Sequence, residues 1–250
     1  MARIDVNFFS QTLKRTVEFV VYLPADPLDH EVDFEPPYRS LYLLHGMMGN
    51  RHEWVEKSML VHYINDKNIA VIMPSGENSM YIDNLDTLEL YSHFVGKELV
   101  QFTRKILPLS NKKKDTYIAG FSMGGYGALL NGLLYNNTFS KIGSFSAPIF
   151  DKERIESDIK NGKPFGISFK TLYQTNSKHF DLYELFSESD KGLDIFITCG
   201  KEDFLYKNNI KFVNYLEEID VVYEYKEYEG GHDWTVWDPS IRDFLVFIDK

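Results

Sequence analysis

Ser122 stands in the run Ile118-Ala119-Gly120-Phe121-Ser122-Met123-Gly124-Gly125-Tyr126-Gly127-Ala128. A serine with a glycine two residues to either side, after an apolar run and before a helical one, suits a strand that turns sharply into a helix. Such a turn exposes the hydroxyl as a nucleophile. The helix N-terminus would lie beneath any negative charge that develops there. Gly120 and Gly124 would lack side chains because the turn presses them against backbone, and Gly125 would let the helix approach the sheet. A serine needs a base. Of seven histidines, His232 in Tyr228-Glu229-Gly230-Gly231-His232-Asp233-Trp234 follows the last expected strand and precedes the last expected helix. The two glycines would let that loop carry the imidazole across to Ser122. His30, His52, His62, His93 and His179 fall in loop or helix contexts away from expected strand ends, and His45 reads as a brace beside a glycine turn. The base needs a carboxylate to hold its tautomer. The run 195–198 leads into Cys199-Gly200-Lys201-Glu202-Asp203-Phe204-Leu205, which offers Glu202 and Asp203. Asp203, deeper in the turn, is the better choice, with a helix cap as its alternative role. Asp233 reads as a loop brace.

Acyl transfer also needs two N–H groups that converge on an oxyanion. The residue after the serine, Met123, would supply one. The loop Leu44-His45-Gly46-Met47-Met48-Gly49-Asn50 would supply the other, from Met47. Bulky side chains on several loops (Met48, Tyr81, Phe121 and Trp234) are expected to wall a short acyl pocket. Efficiency should then peak at acetyl to butyryl esters and fall beyond about six carbons.

These residues need strand ends to hold them. Short apolar runs recur at 41–44, 69–73, 116–119, 142–145, 195–198 and 221–225, with helical periodicity at 90–107, 124–135, 205–219 and 239–248. Strands that are apolar throughout and alternate with helices imply a mainly parallel central sheet with helices on both faces. Two opening strands within residues 1–23 would add an antiparallel N-terminal edge. The interval 148–193 is too long for a simple connection and carries seven aromatics, Phe150, Phe165, Phe169, Tyr173, Phe180, Tyr183 and Phe186. It reads as a partly helical insertion near the site, as a wall or lid, with an extra core helix as the alternative. The whole chain, 1–250, is expected to form a single domain.

Composition excludes several classes. Lys and Arg total 27 against 37 Asp and Glu, a net charge of −10, so neither nucleic acid nor an anionic membrane is an expected partner. With 19 Phe, 16 Tyr and 3 Trp the chain can fill a large core, which rules out general disorder. The lone Cys199 cannot form an internal disulfide, no metal-ligand spacing occurs, and the chemistry implies no cofactor. No run approaches a membrane span, and the first ten residues lack the apolar core of a signal peptide. A cytoplasmic location is therefore expected. The aromatic surface could support a homo-oligomer.

Taken together these residues resemble the esterase D family of α/β-hydrolases, and within it the small bacterial tributyrin and acetyl esterases. The likeness runs from Phe9-Ser10 and Val20-Val21-Tyr22-Leu23-Pro24 through the 44–50 loop and Met73-Pro74-Ser75-Gly76 with Ser79-Met80-Tyr81-Ile82-Asp83. It continues through the 120–128 turn and Gly200-Lys201-Glu202-Asp203-Phe204-Leu205 to Gly231-His232-Asp233-Trp234. The resemblance implies an α/β-hydrolase fold, a triad on Ser122, Asp203 and His232, oxyanion donors on Met47 and Met123, and a small-molecule ester substrate. S-formylglutathione hydrolases typically carry a cysteine after the His-Gly pair. Met47-Met48-Gly49-Asn50 stands there instead, which favours ordinary carboxylic esters. An acyltransferase using an alcohol acceptor shares every one of these residues. A non-catalytic binding protein of the same fold would have an eroded triad, and no position is eroded.

Overall fold

The computed structural model describes residues 1–26, 34–150, 156–157, 160–161, 181–188 and 192–250. The chain opens with an antiparallel pair, β1 (Ala2–Ser10) and β2 (Arg15–Leu23), in register from Ala2 opposite Leu23 to Ser10 opposite Arg15. β3 (Arg39–Leu44) leads to two short helices, α1 (Glu53–Lys57) and α2 (Leu60–Ile64), then to β4 (Ile69–Pro74). A small hairpin, β5 (Asp83–Asn84) with β6 (Glu89–Leu90), stands apart from the main sheet. α3 (Tyr91–His93) passes through a π-helical turn, Phe94–Glu98, into α4 (Leu99–Ile106). β7 (Thr116–Phe121), α5 (Met123–Leu134) and β8 (Lys141–Phe145) follow. α6 (Leu182–Glu188), β9 (Asp194–Gly200), α7 (Tyr206–Glu218), β10 (Tyr223–Tyr228) and α8 (Trp234–Phe247) complete the described chain.

The eight-stranded sheet has the order β1-β2-β4-β3-β7-β8-β9-β10. β2 meets β4 antiparallel, and every pairing from β4 to β10 is parallel. The central strands β4 and β7 are buried at every position, as continuous apolar runs must be when helices cover both faces. Alternate residues feed two separate cores. Tyr42, Leu44 and Ile118 pack with Leu99, Leu129 and Phe212 on one face. Leu41, Leu43 and Ala119 pack with Trp54, Ile64, Ile241 and Phe244 on the other.

The last strand and the last helix depart from their expected bounds. The last strand starts at Tyr223 instead of 221 and extends to Tyr228. Its sequence, YEYKEY, has no fully buried position: Tyr223 and Tyr225 pack on one core and Tyr228 on the other, as suits an edge strand covered only in part. The last helix starts at Trp234, five residues before the expected 239. Asp233 caps it, its carboxylate accepting from the Thr235 N–H at 2.9 Å, and Pro239 is carried inside the helix. Most of the expected insertion at 148–193 lies outside the described residues. Within it, α6 buries Leu182 and Phe186, the latter edge-on to Phe212 at 5.4 Å. Among the described residues no helix is long and apolar enough to cross a membrane.

Candidate active site

β7 ends at Phe121, and the chain enters α5 through Ser122 at φ 51°, ψ −121°. That left-handed conformation strains a residue with a Cβ, and the surroundings hold it in place. The Ser122 N–H is bonded to the Phe145 carbonyl of β8 at 2.8 Å, and the Ser122 carbonyl accepts from Tyr126 N–H at 3.1 Å. The glycine spacing has the expected physical cause. A Cβ on Gly124 would come within 2.5 Å of the Leu44 carbonyl and 2.7 Å of the His45 carbonyl. A Cβ on Gly120 would meet the Gly124 carbonyl at 2.5 Å. Backbone fills both places, so α5 can sit this close to the end of β3 only through glycine.

The loops after β9 and β10 bring the other two polar groups to this elbow. His232 Nε2 lies 2.9 Å from Ser122 Oγ, and Nδ1 lies 2.9 Å from Asp203 Oδ2. The Asp203 side chain is fully buried, and its Oδ1 accepts from the Leu205 N–H at 2.8 Å, so it also braces the turn into α7. Burial alone would push its carboxyl up. The bonds from His232 and from the Leu205 N–H outweigh that and hold it below the usual carboxylate value. Glu202 is exposed, and Asp233 is turned away toward Thr235. His52, His62 and His93 take no part in this array, while His30 and His179 lie outside the described residues.

The loop after β3 is braced by His45. Its Nδ1 donates to the Gly46 carbonyl at 2.6 Å, and its Nε2 accepts from the Gly76 N–H at 2.8 Å. Only the neutral ring protonated on Nδ1 makes both bonds, and burial pushes its pKa down to about 4. This ties the ends of β3 and β4 together below Met47. Among the described residues no backbone hydrogen bond occupies the N–H of Met47 or of Met123.

A cavity of about 390 Å³ opens over Ser122 and His232. Met47, Met48, Phe121, Met123 and Trp234 line it, as expected from sequence. Tyr81 does not. It is fully buried, its hydroxyl donates to the His45 carbonyl at 3.1 Å, and its ring packs on Gly76 and Gly127. Consecutive left-handed residues, Met80 and Tyr81 (both φ 54°), turn the tyrosine inward, and Met80 lines the cavity in its place. Phe150, counted among the aromatics of the expected 148–193 wall, lines it too; sequence reasoning missed Phe204, Leu205 and Trp237, which are apolar lining, and the Glu53–Lys57 ion pair (3.0 Å), which is the charged part of the wall. Two of these had a signal. Phe204 adjoins the chosen aspartate, and Trp237 is one helical turn beyond Trp234.

A serine on a strand-to-helix elbow at the carboxyl edge of a mainly parallel sheet, followed in the chain by Asp203 and then His232, defines a serine hydrolase of the α/β-hydrolase fold. The comparisons make the class narrower. Residues 10–248 match the family described as putative esterase, and the chain belongs to it. It is 36% identical to an acetyl esterase of Caldicellulosiruptor saccharolyticus, over 100% of this chain and 99% of that protein. An S-formylglutathione hydrolase from Staphylococcus aureus is 28% identical, with a TM-score of 0.84 over 100% of this chain and 99% of that one. A fluorophosphonate-binding serine hydrolase of Staphylococcus aureus, with substrate bound, is also 28% identical, with a TM-score of 0.85 over 100% and 98%. The chain is a serine carboxylic ester hydrolase.

Proposed function

We propose that this enzyme hydrolyses short-chain acyl esters, acetyl to butyryl, through Ser122, His232 and Asp203. The observation that carries the reading is the pair of 2.9 Å bonds that joins the Ser122 hydroxyl through His232 to a buried carboxylate at the wall of one cavity. Ser122 Oγ attacks the acyl carbon as His232 Nε2 takes its proton. Asp203 fixes the tautomer and stabilises the imidazolium without taking the proton itself. The oxyanion is received by the N–H groups of Met47 and Met123, and each such donor supports roughly 10²–10³ in turnover. His232 then protonates the leaving alcohol, and water attacks the acyl-enzyme by the same route in reverse.

Short acyl groups are favoured by the bulky side chains of Met47, Phe121, Met123 and Trp234 that line the cavity with Ser122. Each further methylene gains about 0.8 kcal/mol only where it finds room. The acetyl esterase relative supports ordinary oxygen esters, and the S-formylglutathione hydrolase neighbour makes a glutathione thioester the competitor to test. The test is kcat/KM across 4-nitrophenyl esters from acetyl to lauroyl, with S-formylglutathione and acetylated sugars alongside. Efficiency should peak by four carbons and fall beyond about six. Equal efficiency on acetyl and lauroyl esters would refute the short acyl pocket, and a preference for the thioester would refute the substrate class. Product analysis with added alcohol separates hydrolysis from acyl transfer.

A further inference from the structure

The His232 imidazole has both ring nitrogens taken, one by Ser122 and one by Asp203. Two aromatic rings flank it. Phe204 lies 4.7 Å away between ring centroids, tilted by 51°, and Trp237 lies 5.0 Å away at 90°. Trp237 is accounted for by packing, since it is buried and stacked on Phe121 at 4.3 Å. Phe204 is not. It is 66% exposed, while its chain neighbours Asp203 and Leu205 are buried. Core burial therefore gives no reason for a phenyl ring at this place.

We infer that Phe204 is a positioning residue for the base: with Trp237 it holds the imidazole ring, and its π face favours the imidazolium that forms when Ser122 gives up its proton. This rests on the triad reading proposed above. A cation over a ring face within about 6 Å of its centroid is attracted by the ring quadrupole, and Phe204 meets that distance with its ring tilted by 51° to the imidazole. Neutral imidazole gains much less, so the contact acts on the transition state more than on the resting enzyme.

Among the described residues the charged groups around His232 are few. Asp203 comes from the β9–α7 turn, with Glu202 beside it facing solvent. Asp233 comes from the start of α8, with its carboxylate turned to Thr235. Lys201 and Glu229, on the same two loops, pair with each other at 2.5 Å. The Glu53–Lys57 pair of α1 lines the same cavity. A neutral change at 204 leaves all of them in place, so a shift in pH dependence reports the ring.

The experiment measures kcat/KM for 4-nitrophenyl acetate against pH in the wild type, Phe204→Leu and Phe204→Trp, with fluorophosphonate labelling of Ser122 in each. Leucine keeps apolar cover and loses the quadrupole. Its plateau should fall about fourfold and its acid limb should move to lower pH by roughly half a unit, while tryptophan keeps the wild-type limb. A leucine variant with the wild-type plateau and limb would overturn the inference, as would a tryptophan variant matching leucine. A limb moving to higher pH would show instead that Phe204 only excludes water. Failure to label Ser122 in the folded wild type would overturn the triad reading and this inference with it. Labelling with an unmoved limb overturns this inference alone.

Discussion

Gly124→Ala is the most direct test of how the elbow positions the chemistry. The added methyl would stand 2.5 Å from the Leu44 carbonyl oxygen and 2.7 Å from that of His45. The first is about 0.9 Å short of ordinary contact, and neither partner is a side chain that can rotate away. Relief requires the start of α5 to move off the end of β3 by most of that distance. The same motion separates Met123 from Met47 and carries Ser122 with it. A displacement near 1 Å at reacting groups costs about 10² in rate. Overpacking of this kind also destabilises by about 1–3 kcal/mol. Gly132→Ala, on the same helix, is the comparator: its methyl would meet the buried Ile142 side chain, Cδ1 at 2.3 Å and Cγ1 at 2.5 Å, so the strain falls on core packing away from the elbow. Measured by kcat/KM on 4-nitrophenyl acetate and by thermal midpoint, Gly124→Ala should lose about a hundredfold in activity. Gly132→Ala should stay within about threefold. Activity within threefold for Gly124→Ala, or an equal loss in both variants, would refute the argument.

Ser122→Ala and His232→Ala should each abolish turnover to the same residual level, because the two act as a unit, and each should keep a cooperative melt. Asp203→Asn should lower kcat by about 10³–10⁴ by presenting the wrong tautomer to the imidazole. Glu202→Gln and Asp233→Asn should be mild, since Glu202 faces solvent and asparagine caps a helix as well as aspartate does. If Glu202→Gln were the crippling change, the carboxylate would be misassigned by one position. His45, with its folded-state pKa pushed down to about 4 from an ordinary 6.5, resists protonation only while the chain is folded. Its contribution to stability is complete above pH 6.5, declines as pH falls from there to about 4 and then levels, a loss of roughly 3 kcal/mol. Urea melts across that range should show the decline in the wild type and a flatter response in His45→Gln. An unchanged slope in the variant would assign the effect elsewhere.

What could be read from the sequence was what the backbone demands locally. Gly120 and Gly124 are required by carbonyl oxygens that leave no room for a methyl, so the spacing around Ser122 marks the elbow before any tertiary structure is known. His232 and Asp203 were legible because each follows a strand of the parallel sheet, and parallel strands deliver their loops to one edge. Tyr81 was misread because its direction depends on two successive left-handed residues that are not glycine, and nothing in Ser79-Met80-Tyr81 announces such a turn. The start of α8 was misread because Pro239 looks like a helix opener, while Asp233 with Thr235 makes a better cap six residues earlier. Phe204 escaped notice because its importance comes from an imidazole 28 residues further along the chain, a pairing that periodicity does not record.

The left-handed backbone at Ser122 has an evolutionary corollary. A side chain at φ 51°, ψ −121° costs about 1–3 kcal/mol that glycine would not. The N–H bond to Phe145 that anchors the elbow is made by the backbone and would survive the exchange. The hydroxyl is thus kept against the grain of the fold, and Ser122→Gly should melt higher than the wild type while being inert. In a lineage released from the need for the reaction, selection for a sturdy chain would no longer preserve this serine but would favour its loss. Of all the positions in the site, the nucleophile is the one whose retention speaks most directly for an activity still in use.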